Sequence, residues 1–406
     1  MIISVSWRNI WRNRTRSLVI LTAIGLGIFV GVFAVAFMLG WVNQRLDSVI
    51  NTEVSHLQIH HPRYLESREI DNYIPEAGQM LTGISGMEHV KAASARLLVN
   101  CMIASAETGA GIRLNGIDPQ KERLVTDIHE KITEGDYFEG DASNLVVIGE
   151  KLAERLNVGL RSRVVITLAE MDGTLTGGAF RVAGIYKTAN TAFDETTVFV
   201  PYTGLRDLLK IEDGAAHQVA VLLGEDNMED RVAGKLRERW EGVEVMTWTD
   251  LMPEAQLLHE QMALMMYIFV GIILLALAFG IVNTMLMVII ERTKELGMLM
   301  AVGMNRVRVF GMVVLESVFL CLTGGAAGMV LALLGTAVTG RTGINISAWA
   351  EGLEAMGFDS VVYPQIGFDY VIRITVMVIV AGILSAIYPA RKAIRLKPAE
   401  ALRIDM

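Results

Sequence analysis

The side chains able to do chemistry are few, and their spacing excludes most reactions. His56, His60 and His61 lie in the run HLQIHH. On a helix, His56 and His60 would share a face and could ligate zinc. The run instead alternates in polarity like a strand, and no carboxylate or cysteine stands at an interval that would complete a site. No metal centre is therefore expected. No GxxxxGK[ST] phosphate loop occurs, so ATP is not hydrolysed here by that route. His129-Glu130 lacks the second histidine of HExxH, and Gly83-Ile84-Ser85-Gly86 has the wrong spacing for GxSxG. No catalytic residue is expected.

Two polar groups interrupt long apolar runs. Glu316 lies several residues into Val309–Val338, where lipid exposure would cost ~2.5–3.5 kcal/mol. It is expected to face other helices or a water-lined groove. A structural hydrogen bond near the cytoplasmic interface is favoured over a proton relay. Asn283, in Met262–Ile290, invites the same reading. Gly27 and Gly31, like Gly324 and Gly328, form GxxxG pairs that let helix backbones approach, either within one chain or between copies.

Between two of the apolar runs lies Glu291–Arg308, ERTKELGMLMAVGMNRVR, more patterned than a bare turn requires. Leu296, Leu299, Met300 and Val302 give an apolar face at helical spacing, Glu291, Lys294 and Glu295 are polar, and Gly303 can end the helix in a left-handed conformation. Physics alone leaves two readings open: a helix lying on the membrane surface, or a peg for a cytoplasmic partner.

The elements that position these residues follow from composition and run length. The 406 residues are 52% hydrophobic and 20% charged, which suggests membrane spans beside a sizeable water-exposed part. A net charge of −8 and the lack of a basic tract with interleaved aromatics argue against nucleic acid. Cys101 and Cys321, one outside and one inside an apolar run, are not expected to pair. Residues 1–17 carry Arg8, Arg12, Arg14 and Arg16 beside Trp7 and Trp11, which are four apart. That pattern fits an interfacial helix or simply a positive flank. The apolar run that follows is too long for a signal-peptide core and reads as a retained anchor.

Run length predicts four transmembrane helices, at 18–41, 262–290, 309–338 and 371–388. Basic residues cluster in 1–17, in 291–308 (Arg292, Lys294, Arg306, Arg308) and in 389–406 (Arg391, Lys392, Arg395, Lys397, Arg403). All three clusters fall on one side, which should be cytoplasmic. Segments 42–261 and 339–370 then lie outside. Residues 42–261 hold strand-like runs at Leu57–His60, Leu97–Ile103, Gly111–Ile117, Leu145–Ile148, Val164–Leu168, Phe180–Tyr186, Thr197–Pro201 and Val219–Leu223. Helical stretches intervene at Asp118–Val125, Glu150–Leu156, Tyr202–Lys210 and Met228–Trp240. The expected fold is therefore an α-helical membrane protein with four spans and an α+β domain inserted between the first two. Helical continuation at Val42–Glu53 and Trp248–Gln261 would mount that domain on stiff stalks. In 339–370, Trp349, Tyr363 and Phe368 read as interface aromatics.

The run ERTKELGMLMAVGMNRVRVFGMVVLESVFLCLTGGAAG resembles the permease signature of the FtsX/MacB/lipoprotein-releasing group of ABC transporters. So do YPARKAIRLKPAEALR, SWRNIWRNRTRSLVILTAIGLGI and, in the outer domain, VVIGEKLAERLNVGLRSRVVITL and FRVAGIYKTANTAFDETTVFVPYTGL. The resemblance implies a multi-pass bacterial inner-membrane permease with cytoplasmic termini and a periplasmic core domain. It would work as a homo- or heteromeric pair with two copies of a separate ATPase that binds ATP and Mg. Motion of the ATPase would be transmitted mechanically to the outer domains.

Segment 291–308 would then be the coupling helix, with Glu291, Arg292, Lys294, Glu295, Leu296, Gly297, Leu299 and Gly303 as its contact residues. SHLQIHHPRYLE and GINISAWAEGLEAMG are similar to the lipoprotein-releasing branch, implying acylated lipoprotein cargo, membrane lipids and a periplasmic carrier as partners. In the carrier-binding member a longer hairpin follows the strand matching Val164–Leu168. Here Ala169–Gly178 is short, which leaves carrier binding to a partner permease. Lateral entry of acyl chains between the first two spans would pass Leu258, Met262 and Met266. Two alternatives stand beside lipoprotein release: a MacB-like efflux or peptide-export permease, and an FtsX-like transmitter to a cell-wall hydrolase. An outer domain of about 220 residues favours the first two readings over the last.

Overall fold

A computed structural model describes residues 2–12, 14–138, 143–170, 173–225, 228–355 and 357–395. The chain divides into two compact units. The first comprises 1–42, 259–345 and 361–406, and the second 43–258 and 346–360. Of the shorter outer segment, 339–370, residues 346–360 belong to the second unit and the rest to the first.

The first unit is helical: α1 (Ile2–Arg12), α2 (Arg14–Ser48), α3 (Pro253–Glu291), α4 (Thr293–Ala301), α5 (Arg306–Thr342) and α6 (Phe368–Ile394). Four of these, α2, α3, α5 and α6, are long and apolar enough to cross a membrane. Each outruns the apolar run that predicts it, because helix-compatible polar residues continue the hydrogen-bond ladder past the hydrocarbon-length stretch. After Ser48 the chain widens into a π-helix, Val49–Val54. Toward the C-terminus, α6 continues through Pro389, beyond the predicted end at Tyr388, at the loss of one ladder bond. Lys397 and Arg403 lie outside the described residues.

Packing in this unit depends on glycines. A Cβ on Gly328 would collide with the Gly25 carbonyl oxygen, and one on Gly324 would meet Ile24 Cβ at 3.0 Å. So α5 lies backbone to backbone against α2. Gly27 and Gly31 face α3 instead, where Leu277 Cδ2 and Ile273 Cδ1 would stand 2.8 and 3.3 Å from an added Cβ. The two GxxxG pairs therefore serve different intrachain contacts, and the glycine opposite Gly328 is Gly25, which no motif singled out. Helix α1 rests on α5: Ser6 Oγ donates to the Met312 carbonyl at 3.2 Å. Trp7 and Trp11 share a face with ring centroids 6.0 Å apart, and Trp7 packs edge-on against Phe319.

The second unit is α+β, built on a ten-stranded mixed sheet. Its strands are β1 (Leu57–His60), β2 (Val90–Ala104), β3 (Gly109–Ile117), β4 (Ile132–Gly135), β5 (Leu145–Gly149), β6 (Arg163–Ala169), β7 (Leu175–Tyr186), β8 (Thr197–Pro201), β9 (Gln218–Leu223) and β10 (Glu244–Thr247). The spatial order is β10-β1-β9-β2-β3-β8-β5-β7-β4, with β6 pairing both β2 and β7. Among the described residues, β3–β8 and β5–β7 run parallel and the other pairs antiparallel. One apolar core lies under β2, β3 and β5–β8 with helices Glu150–Leu156 and Tyr202–Leu209. Another joins β1 and β9 to helices Ala77–Ser85 and Glu229–Arg239.

Among the elements not expected are β4, β10 and the helix Ala77–Ser85. The strands are only four residues long, too short for period-2 alternation to stand out. The helix does bury Ala77, Met80, Leu81 and Ile84 at helical spacing, but Gly78 and Gly83 weaken its propensity. The segment expected as a connection after Val164–Leu168 is strand at Ala169 and from Leu175 to Gly178. Antiparallel pairing of β6 with β7 runs on to Ala169 opposite Leu175, and Glu170 N–H donates to the Thr174 carbonyl at 2.8 Å beyond it.

Candidate functional site: the coupling segment and its buried ion pairs

The segment 291–308 is two helical pieces rather than one. Helix α4 ends at Ala301, and residues 306–308 already belong to α5. The reversal is closed by local chemistry. Met304 N–H donates to the Leu299 carbonyl at 3.0 Å and Gly303 N–H to the Met300 carbonyl at 3.2 Å. That is a Schellman closure, with Gly303 at φ +102°. Asn305 then caps α5 by accepting from Val307 N–H at 3.1 Å.

The predicted apolar face is only partly correct. Leu296 is buried, and Leu299 and Met300 pack against the core of the helical unit. Val302, by contrast, is 85% exposed and does not belong to that face. Met298 is exposed as well. With half-buried Lys294 these two form a stripe at i, i+4 and i+8, of which Met298 and Val302 are the exposed part. Gly297 is buried and Glu291 exposed.

Four charges tie this segment to the helices behind it. Arg292 Nη1 donates to both carboxylate oxygens of Glu316 at 3.1 and 3.2 Å, and its Nε donates to Glu295 at 3.0 Å. Glu295 also pairs with Arg12. The chain Arg12–Glu295–Arg292–Glu316 thus joins α1, α4 and α5. Burial raises the Glu295 pKa, but hydrogen bonds from Arg12 and Arg292 outweigh it and hold the group below its ordinary value. Glu316, on α5, is the buried anchor, its side chain 7% exposed. It makes the structural hydrogen bonds expected of it, with Arg292 as the donor. The pairing was not legible in the sequence because it links residues 24 apart across a chain reversal.

Asn283 departs from expectation. It is exposed on α3, and its amide makes no side-chain hydrogen bond among the described residues.

Between α2 and α3 lies an apolar groove of about 910 Å³. Val19, Ala23, Leu26 and Val30 form one wall, and Ile273, Leu277 and Ile281 the other. Of its polar lining, Thr284 already donates to the Gly280 carbonyl at 2.7 Å. Met262 and Met266 do not line this groove, and Met266 is buried in the helical core. The side chain of Leu258 lies outside the described residues. In the second unit, His60 sits in β1 with its ring nitrogens facing the His217 carbonyl at 3.1 Å and Gln58 Oε1 at 2.9 Å, one of which takes the single N–H of the neutral ring. His56 Nδ1 accepts from Leu223 N–H at 3.2 Å. His60 is part of the sheet, as the alternation implied, and His56 borders it.

A family model of the MacB-like periplasmic core domain matches residues 21–239, more than half of the chain, and one of the FtsX-like permease C-terminal domain matches 267–398. The chain belongs to this permease family. It is 24% identical to the lipoprotein-releasing system transmembrane protein LolC of Neisseria meningitidis, over 97% of this chain and 96% of that one. It is likewise 24% identical to an ABC transporter permease of Methanocaldococcus jannaschii, over 99% and 97%. With the macrolide export ATP-binding/permease protein MacB of Agrobacterium fabrum it shares 25% identity over 98% of its own length but 59% of MacB's. The protein is thus an ABC transporter permease, a multi-pass membrane protein with a MacB-like periplasmic core domain, of a family that works with ATPase subunits.

Proposed function

We propose that this permease releases acylated lipoproteins from the membrane, driven by a separate ATPase that docks on the α4 reversal. The observation carrying this reading is the 910 Å³ groove between α2 and α3, whose walls are almost wholly apolar. Such a lining suits a hydrocarbon chain and offers nothing to orient a polar solute. The end-to-end similarity to LolC supports the same branch. The termini and α4 lie on the cytoplasmic side by the basic-residue rule, with the core domain periplasmic between the first two spans. ATP and Mg are bound by the partner ATPase, two copies of which meet two permease subunits.

The stripe of half-buried Lys294 with exposed Met298 and Val302 is the docking face, and the ion-pair chain beneath transmits its displacement to α1 and α5. A second permease subunit covers the exposed Asn283, since a polar side chain on a spanning helix favours a protein neighbour over lipid. The short connection between β6 and β7 leaves carrier contact to that second subunit. Depletion of the protein, followed by fractionation of lipoproteins between membranes, tests the reading. Retention in the inner membrane is expected. Normal sorting with altered sensitivity to exported compounds would replace it with MacB-like efflux, and normal sorting with defective wall hydrolysis with the FtsX-like role.

A further inference from the structure

The second unit contains a polar cavity of about 260 Å³ that the permease function does not use. It lies against β1, β2, β3 and β9, and Arg68, Arg96, Arg113, Tyr64, Glu53 and Glu122 line it. The two carboxylates are already engaged. Glu122, fully buried, takes a bidentate pair from Arg96, with Nη2 at 2.7 Å and Nε at 3.2 Å. Glu53 pairs with Arg45 and accepts from Asn190 Nδ2 at 3.1 Å.

Arg68 and Arg113 are left over. Neither makes a side-chain hydrogen bond or ion pair to any described residue. Both are exposed residues, at the rim where the cavity meets solvent; crowding by neighbouring protein and the charge of Arg68 still pull the Arg113 guanidinium below its ordinary value. Two unpaired cations at the rim of one cavity give it a positive potential that favours an anion. The hydroxyl of buried Tyr64, within the field of both arginines, also has no hydrogen-bond partner among the described residues. Its ring is held by stacking on His60, centroids 5.3 Å apart and planes at 3°. His60, its pKa lowered by burial to about 4, stays neutral and does not compete for an anion.

We propose that this cavity is a binding site for a phosphate-bearing anion, held by the guanidinium forks of Arg68 and Arg113 with the Tyr64 hydroxyl as a further donor. Planar forks match tetrahedral oxyanions through paired hydrogen bonds. The volume is below the usual range for drug-sized ligands of about 300–1,000 Å³, so the occupant is a single phosphate or a small phosphodiester headgroup. The same chemistry could come from free phosphate or from a phospholipid.

The full-length permease in nanodiscs of zwitterionic lipid would be titrated with inorganic phosphate and, separately, with soluble glycerophosphoglycerol. Both titrations are read by calorimetry and thermal unfolding against chloride at matched ionic strength. Saturable binding and a raised unfolding temperature are expected, weakened about tenfold or more in Arg113→Ala and Arg68→Ala. Arg155→Ala, an equal charge change on a helix away from the cavity, should bind like wild type. Tighter binding of phosphate assigns a free anion, and tighter binding of glycerophosphoglycerol a lipid source. No saturable response beyond chloride, or undiminished binding in folded Arg113→Ala, overturns the site. These readouts involve neither lipoprotein sorting nor ATP turnover, so they stand or fall separately from the transport reading.

Discussion

Replacing Arg292 with Met tests whether the buried ion pairs hold the coupling segment in place. Arg292 and Glu316 side chains are 15% and 7% exposed, so each is largely out of water and depends on the other. Removing Arg292 strands the Glu316 carboxylate without its two bonds at 3.1 and 3.2 Å, and also takes one partner from Glu295. Stranding a buried charge costs about 3–5 kcal/mol. The reverse deletion, Glu316→Leu, is milder: Arg292 keeps Glu295 at 3.0 Å, and about 1–2 kcal/mol is expected. In Arg292→Met/Glu316→Leu no charge is stranded, and a well-packed apolar replacement of a buried pair is often neutral or stabilising. The double variant should therefore be more stable than Arg292→Met alone, which is the signature of direct coupling. Denaturant unfolding of the nanodisc-embedded chain gives all three stabilities, and ATP turnover with the partner ATPase measures transmission. If Arg292→Met is no worse than Glu316→Leu, or if the two effects simply add, Glu316 is not held by Arg292 and the network reasoning fails.

Further outcomes follow from other contacts. Glu295→Lys would set a third cation beside Arg12 and Arg292; ATP hydrolysis should persist while cargo release is lost, and wild-type release would refute the role. Met298→Asp and Val302→Asp, on the exposed stripe, should leave the chain folded but weaken ATPase co-purification; unchanged co-purification would move the docking face elsewhere. Gly328→Ala places a methyl on the Gly25 carbonyl and should cost about 1–3 kcal/mol. Gly271→Ala, with open space around it, is the control that should not. Asp194 is raised by burial to about 6 despite hydrogen bonds from Thr188. Its folded pKa exceeds its unfolded one, so its penalty is absent below about pH 4, grows as pH rises to about 6 and is constant above. Asp194→Asn should flatten that window and stabilise the protein at pH 7 by up to about 3 kcal/mol, as read by unfolding across pH 4–7.

The sequence by itself determined the parts whose signals are local. Four apolar runs of spanning length, the basic residues beside them, the alternating strands and the left-handed stop at Gly303 are each written within a few consecutive residues, and each is present in the fold. It also determined the family, because the motifs that carry it are contiguous. Tertiary structure decided what depends on which residues meet across distance. Arg292 finds Glu316 through a reversal, Gly328 finds Gly25 rather than a partner copy, Val302 turns outward while Leu296 turns in, and Arg68 and Arg113 are left facing one cavity. Periodicity sorts a helix into faces but does not say what covers each one, because burial and ion pairing are set by neighbours that only the folded chain supplies.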